Sequence, residues 1–433
     1  MDVKAGHSVS RNSSKSRACS FSDVLPGPLW SRKGVSTMVY TDLPYDEATK
    51  AGFARAMFEH LDNGTTDMAP EILEVDPRVY TDPELAARER RELFGHVPII
   101  AAHSTELPGN HDFATVQLPN NEIVLVRQAD GGVRGFVNTC RHRGARLVPE
   151  EKGSKRFFSC RYHGWAYGND GSLRSVADEP TFGSVDRRCM SLLEVPVEER
   201  HGFVWVVDSA AGDRTIDIAE WLGREFDESL AAMEMDKYHC HIARNFDVDI
   251  NWKVLMDAFL DGYHITSTHA GTVAPYFYNN AQAWEPMGRH GRMVTARKSI
   301  DTVRAVAPED APIDRHITVA HFLMPNMSVL RQPDHLEVLN FVPAPGTPVG
   351  TRMQMRLLTR QPAVTDEQKA RWDKNWNILM AVLRDEDLVV NAGLQKAVTN
   401  TDIGPLHFGR NEIANQHFHQ WMARAFEDPR KWG

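Results

Sequence analysis

Two short loops of the chain each pair a thiol with an imidazole: Cys140-Arg-His142 and, after 17 intervening residues, Cys160-Arg-Tyr-His163. Four such ligands can hold tetrahedral zinc. They can equally hold a [2Fe–2S] cluster with two cysteines on one iron and two histidines on the other, and spacing alone does not separate the two. A second group falls between Asn251 and His269, where Asp261, His264 and His269 lie within nine residues. Asp261 and His264 are three apart, which puts both on one helical face. His264 and His269 are five apart, about 140° round an ideal helix, so joint ligation requires the helix to widen or end between them. The weak helix formers Thr266, Ser267 and Thr268 allow that. Two imidazoles and one carboxylate make a facial triad with open positions on non-haem Fe(II), and here a distant acid must supply the carboxylate.

The other cysteines carry less. Cys189 reads as a small buried hydrophobe. His239-Cys240-His241 on a strand sends alternate side chains to opposite faces, which argues against a shared metal. With 5 cysteines, an odd and sparse set, a secreted disulfide framework is disfavoured and the reducing cytoplasm is the expected compartment. Lys+Arg 49 against Asp+Glu 58 leaves a net charge of −9 with no basic run, which argues against nucleic acid as a partner. No apolar run approaches the roughly 18 residues of a membrane span, so no membrane partner is expected.

These ligand runs must be positioned by a chain of 433 residues, 42% hydrophobic and 25% charged, the size of two or three ordinary domains. Residues 1–37 are rich in Ser, Arg and Lys without an apolar stretch and read as a disordered tail. Residues 38–95 read as a helical arm, with apolar residues at helical spacing from Asp46 to Leu61 and a second helix over Asp82–Leu93. Residues 96–210 read as an all-β module, because short apolar runs alternate there with turn signals such as Asp130-Gly-Gly and Asn169-Asp-Gly. Residues 211–433 read as helix, antiparallel strands over Met293–Leu358, and a long amphipathic helical segment over Thr365–Thr399. The expected class is α+β, with the all-β module inserted in a helix-grip domain of antiparallel sheet plus long helix.

The flanks of the Cys/His loops are specific. Asn138-Thr-Cys-Arg-His-Arg-Gly144 and Cys160-Arg-Tyr-His-Gly-Trp-Ala-Tyr167 closely resemble the two cluster-binding loops of Rieske iron–sulfur domains. The resemblance implies a [2Fe–2S] cluster on Cys140, His142, Cys160 and His163, with Trp165 shielding it from water. It also implies that Gly144 and Gly164 let backbone N–H groups crowd the cluster sulfurs. Downstream, Asn251-Trp-Lys followed by Asp261-x-x-His264-x4-His269 resembles the catalytic signature of Rieske non-haem iron oxygenase large (alpha) subunits, the aromatic-ring-hydroxylating family. That family places its third iron ligand in a late Glu-Asp pair with a Gln eight residues beyond the Asp, and the run from Arg384 to Gln395 fits. The mononuclear Fe(II) is thereby expected on His264, His269 and Asp387, with Asp385 and Glu386 as solvated acids of the same helix. Asp261 resembles the bridging acid that joins a cluster histidine of one subunit to the counterpart of His264 in the next. Where the family usually has Glu-Asn, this chain has Met256-Asp257. Asp257 is either a substrate-pocket residue or a buried, hydrogen-bonded helix acid, and Ala258 and Ile265 are further pocket candidates.

The resemblance implies the oxygenase component of a multicomponent system, using O2 to mono- or dihydroxylate an aromatic or other hydrophobic substrate. No Gly-x-Gly-x-x-Gly fingerprint or plant-type ferredoxin cysteine spacing is present, so a separate reductase or ferredoxin must donate electrons. Family members are typically trimers, some with a small beta subunit, and a homotrimer is the expected assembly. The alternatives are an oxygenase that performs O- or N-demethylation and a non-catalytic Rieske electron carrier. A zinc-stabilised ligand-binding protein of similar shape is a third rival.

Overall fold

The computed structural model describes residues 44–210 and 215–427, and the tail expected over 1–37 lies outside the described residues. The first helix, Glu47–Asn63, starts where the Asp46 carboxylate accepts the Thr49 N–H at 2.7 Å. It lays Phe53, Ala54, Met57 and Phe58 against the strands Phe277–Met287 and His290–Arg297. The second helical stretch begins as Pro83–Arg88, capped by Asp82, then widens into a π-helical turn, Glu89–Phe94, that turns Glu89, Leu93 and Phe94 inward.

The apolar runs that follow fold as the strands Pro98–His103, Asp112–Gln117, Glu122–Arg127, Val133–Val137 and Phe203–Val207. A five-stranded sheet runs Glu194–Val195, Val133–Val137, Glu122–Arg127, Asp112–Gln117, Lys152–Ser154. A three-stranded sheet joins Val197–Arg200, Phe203–Val207 and Pro98–His103, and another joins Phe157–Ser159, Ala166–Gly168 and Leu173–Ser175. Cys140 and Cys160 share a small core of their own with Phe113, Phe136, Phe158, Trp165 and Tyr167.

The second half builds a seven-stranded antiparallel sheet in the order His239–Val248, Thr351–Thr359, Leu336–Pro343, Met327–Arg331, Ile317–Leu323, His290–Arg297, Phe277–Met287. The strand Leu336–Pro343 is buried at every position, so both faces of the sheet are covered. One face receives the β module. Arg356 donates to the Ala101 carbonyl at 2.6 Å and pairs with Glu106 at 2.6 Å, and Gln354 donates to the Gln117 carbonyl at 2.7 Å. The other receives the helix Trp252–Phe259, whose Phe259 ring lies 5.3 Å from that of Phe341. The amphipathic segment is not one continuous α-helix. Asp366–Val382, opened by a Thr365/Gln368 capping box, widens into a π-helical stretch Leu383–Asp387 and resumes as Leu388–Asn400.

One turn of this sheet carries a buried charge cluster. His335 bonds Asp334 through Nδ1 at 2.7 Å and Glu337 through Nε2 at 3.1 Å, and Arg371 of the long helix holds Asp334 at 2.7 Å. Burial alone would lower the His335 pKa, but the hydrogen bonds and charges of Asp334 and Glu337 outweigh it and push it up to about 9. A folded pKa above the unfolded value stabilises fully below pH ~6.5, and that contribution is lost as pH rises through about 9. The shift corresponds to an upper bound of about 3 kcal/mol. Urea unfolding from pH 6.5 to 9.5 should therefore show wild-type stability falling toward that of His335→Gln. A constant gap across this range would refute the assignment.

Candidate metal centres

The two Cys/His loops have the same backbone plan. The Cys140 N–H donates to the Ala145 carbonyl at 2.8 Å and the Gly144 N–H to the Cys140 carbonyl at 3.0 Å. Cys160 and Trp165, then Gly164 and Cys160, repeat these bonds at 2.8 and 3.0 Å. Gly144 and Gly164 have φ of +74° and +67°, the left-handed region that favours glycine. Their own amides close the two turns on carbonyl oxygens.

Both thiols are buried and unpaired, and the His142 and His163 rings lie 4.6 Å apart. Nδ1 of His142 is buried without a hydrogen-bond partner, an arrangement that costs about 1–3 kcal/mol unless the nitrogen serves as a ligand. Two thiols and two imidazoles converging in this way fit a Rieske-type [2Fe–2S] cluster. Trp165, 1% exposed, stacks on His142 at 4.8 Å with an interplanar angle of 7°. Tyr167 receives the Arg141 N–H at 3.1 Å and lies 3.5 Å from the Cys140 sulfur, so its own hydroxyl proton is directed at that sulfur. Burial pushes the Tyr167 phenol well up, which keeps that proton in place. Cys189 does not meet its expectation: it is exposed and donates to Asp186 at 3.2 Å, because it lies in a polar surface turn.

The second centre is positioned by the Asn-Trp-Lys run. Asn251 caps the helix Trp252–Phe259 by accepting the Lys253 N–H at 2.9 Å, and its amide reaches the carbonyls of Tyr80 and Pro348 at 3.0 and 2.7 Å. Its own N–H donates to Gln395 at 2.8 Å, tying this helix to Leu388–Asn400. Trp252 and Lys253 both bond the buried Glu89, at 3.0 and 2.5 Å, so the π-helical turn of the arm anchors the helix start. The helix ends at Phe259, and Asp261 lies in the turn that follows. Asp261 and His264 therefore meet through a turn and not along a helical face, a correction to the spacing argument. His264 and His269 flank the single helical turn Ile265–Thr268, which ends before His269, as their spacing required.

Three ligand atoms converge here. Nε2 of His264 lies 3.2 Å from Nε2 of His269, and Oδ1 of Asp387 lies 3.1 Å from the latter and 3.7 Å from the former. Each imidazole is held from behind. Asp261 sits 3.2 Å from Nδ1 of His264, and Glu386 sits 2.7 Å from Nδ1 of His269. Carboxylates on both Nδ1 atoms leave both Nε2 lone pairs for a metal, so the donor set fits a two-histidine, one-carboxylate iron site.

Glu386 is not the solvated acid expected beside Asp387. It is 18% exposed and also accepts the Thr272 hydroxyl at 2.7 Å, whereas Asp385 is 54% exposed beside Arg384. The wider π-helical winding lets adjacent Glu386 and Asp387 both reach His269. Glu386→Ala should weaken Fe(II) binding about ten- to a hundredfold in anaerobic titration of the apoprotein, with Glu386→Gln restoring much of it. Wild-type affinity in the alanine variant would contradict this orienting role.

Asp257 is bonded away from the three ligands: Tyr80 donates to it at 2.7 Å and His419 meets it at 2.9 Å. Ala258 and Ile265 are half-buried on either side of the Asp261 turn. Tyr80 and His419 are 177 and 162 residues from Asp257, so no local pattern announced them.

Two family models match the chain: "Rieske [2Fe-2S] domain" over residues 97–187 and "Ring hydroxylating alpha subunit (catalytic domain)" over 234–428. The large oxygenase component of the 2,4-dinitrotoluene dioxygenase system of Burkholderia sp. (strain RASC) is 34% identical over 200 residues, 44% of this chain and 43% of that protein. The biphenyl 2,3-dioxygenase alpha subunit of Rhodococcus jostii (strain RHA1) is 32% identical over 199 residues, 45% of this chain and 43% of that protein. The matched segments thus span less than half the length of these relatives. A quaternary ammonium Rieske monooxygenase in complex with L-carnitine superposes with a TM-score of 0.69 at 21% identity, covering 82% of this chain and 96% of that one. Naphthalene 1,2-dioxygenase from Rhodococcus sp. bound to indole gives 0.66 at 18% identity, covering 86% and 97%. At such identities the two structures share the fold. Among the described residues no helix is long and apolar enough to cross a membrane. Residues 97–187 thus carry a Rieske [2Fe–2S] domain and residues 234–428 the catalytic domain of a ring-hydroxylating alpha subunit.

Proposed function

We propose that this chain is the oxygenase component of a multicomponent Rieske system, with its cluster domain over 96–210 and its iron domain over 211–433. The observation that carries the reading is the convergence of His264 Nε2, His269 Nε2 and Asp387 Oδ1, each imidazole backed by a carboxylate. When bound, the cluster at Cys140, His142, Cys160 and His163 supplies electrons, and the mononuclear iron supplies dioxygen activation. The chain's own residues do the rest. Glu386 and Asp261 fix the histidine tautomers, Trp165 covers His142, and Tyr167 holds a proton at the Cys140 sulfur. Ala258 and Ile265 border the substrate space beside the Asp261 turn.

An aromatic or similarly hydrophobic substrate is supported by relatives whose names refer to dinitrotoluene, naphthalene and biphenyl. A separate reductase or ferredoxin donates the electrons in the cytoplasm. The assembly is a homotrimer in which Asp261 bridges one subunit's His264 to a cluster histidine of the next. The test is turnover under 18O2 with NADH, a surrogate ferredoxin and reductase, and a panel of aromatic hydrocarbons and nitroarenes. Labelled hydroxylated product is expected. Background product from protein whose two metal centres are both present and reducible would overturn the reading.

A further inference from the structure

A cavity of about 340 Å³ lies beside the last helix, Ile413–Glu427, a volume within the roughly 300–1,000 Å³ of small-molecule sites. It opens between Leu73 and Val79 of the arm and Met422 and Phe426 of the helix, and none of its lining residues holds or backs a metal ligand. Three polar side chains reach its inner wall: His419, Lys253 and Glu89 are only 7%, 3% and 2% exposed.

Lys253 and Glu89 satisfy each other at 2.5 Å, with Trp252 donating to the second Glu89 oxygen at 3.0 Å, so this pair presents no net charge. His419 is different. Its Nε2 lies 2.9 Å from Oδ1 of Asp257, and the other oxygen of that carboxylate takes the Tyr80 hydroxyl at 2.7 Å. Carboxylate oxygens only accept, so Nε2 donates and Nδ1 is left with its lone pair. That nitrogen has no partner among the described residues and is not walled in by them, in contrast to Nδ1 of His142. The Phe408 and Phe418 rings, 4.8 and 5.0 Å from the imidazole, hold it in place.

A preset acceptor in an apolar cavity, with no uncompensated charge beside it, selects the ligand. An ionic ligand would give up its hydration without gaining a partner, and the exposed Glu74 at the rim repels anions. A purely apolar ligand would strip water from the Nδ1 lone pair without replacing it. What fits is a neutral molecule with one strong donor, and Met422 and Phe426 are favourable neighbours for an aromatic face.

We propose that this cavity is a second small-molecule site, separate from the iron centre, that takes a neutral phenol of one or two fused rings. The hydroxyl donates to Nδ1 of His419, and the ring lies against Met422 and Phe426. Lys253 is part of the helix Trp252–Phe259 and His419 bonds it through Asp257, so the occupant rests on the helix that leads to Asp261. The site does not depend on the oxygenase reading, because its ligand chemistry is the same whatever the iron centre turns over.

The test uses para-iodophenol on protein loaded with iron and cluster. In soaked crystals the iodine anomalous signal should fall between Leu73, Met422 and Phe426. In calorimetry, Met422→Trp and Leu73→Trp, which fill the cavity from two sides, should each weaken binding at least about tenfold while keeping the cluster spectrum. His419→Leu, and iodobenzene in place of the phenol on wild type, should each lose about tenfold, because each removes one partner of the same hydrogen bond. On wild type, para-iodobenzoate should bind at least about tenfold more weakly than the phenol. Iodine confined to the iron centre, or full affinity in both tryptophan variants, would overturn the site. Iodobenzene or para-iodobenzoate binding as tightly as the phenol would overturn its ligand class. Iodine in the cavity without binding in solution would mean binding at crystal concentration only, which overturns the site as well.

Discussion

Asp387→Ala should purify with an intact cluster spectrum, little mononuclear iron and turnover lowered more than about a hundredfold. The substitution removes the carboxylate that meets both Nε2 atoms, at 3.1 and 3.7 Å, and leaves the two imidazoles facing each other. His264 and His269 stay oriented by Asp261 and Glu386, so the fold should hold. Asp385→Ala serves as the control, because its carboxylate is 54% exposed and paired only with Arg384. Its iron content should match wild type. Should Glu386→Ala lose iron more completely than Asp387→Ala, the two acids exchange roles.

Asp261→Asn should keep the cluster and much of the mononuclear iron, yet lose turnover more than about a hundredfold. Its Oδ2 lies 3.2 Å from Nδ1 of His264, while its other oxygen takes the Tyr263 N–H, so it touches the ligand and not the ligand-binding atoms. A carboxylate there orients the ring and, in the proposed trimer, joins it to a cluster histidine of the next subunit. Reducing the cluster, adding oxygen and substrate, and following cluster reoxidation isolates that step. Slow reoxidation in iron-replete variant protein is expected. Iron loss with activity proportional to the iron retained would mean that Asp261 only supports His264.

The ligands themselves were legible because each set lies in one or two short runs whose residue types have few other uses. The strands were legible for the same reason: alternation and turn residues are local. What escaped was geometry that depends on distant packing. The π-helical winding at Leu383–Asp387 leaves no periodic trace in a 35-residue amphipathic segment, so Glu386 read as a surface acid although it grips His269. Asp261 and His264 have helical spacing, yet the helix stops at Phe259 and a turn brings them together. Asp257 stood out as a departure from its family, but its partners Tyr80 and His419 come from the arm and the last helix. Cys189 was misjudged because residue type alone does not reveal a polar surface turn.

The most direct measurement is metal analysis with electron paramagnetic resonance of protein purified from iron-supplemented cells. About three irons per chain are expected, two in a dithionite-reducible Rieske cluster and one mononuclear, with Asp387→Ala retaining about two. Stoichiometric zinc with no visible absorption, or a total iron content that is the same in wild type and Asp387→Ala, would contradict a two-centre oxygenase.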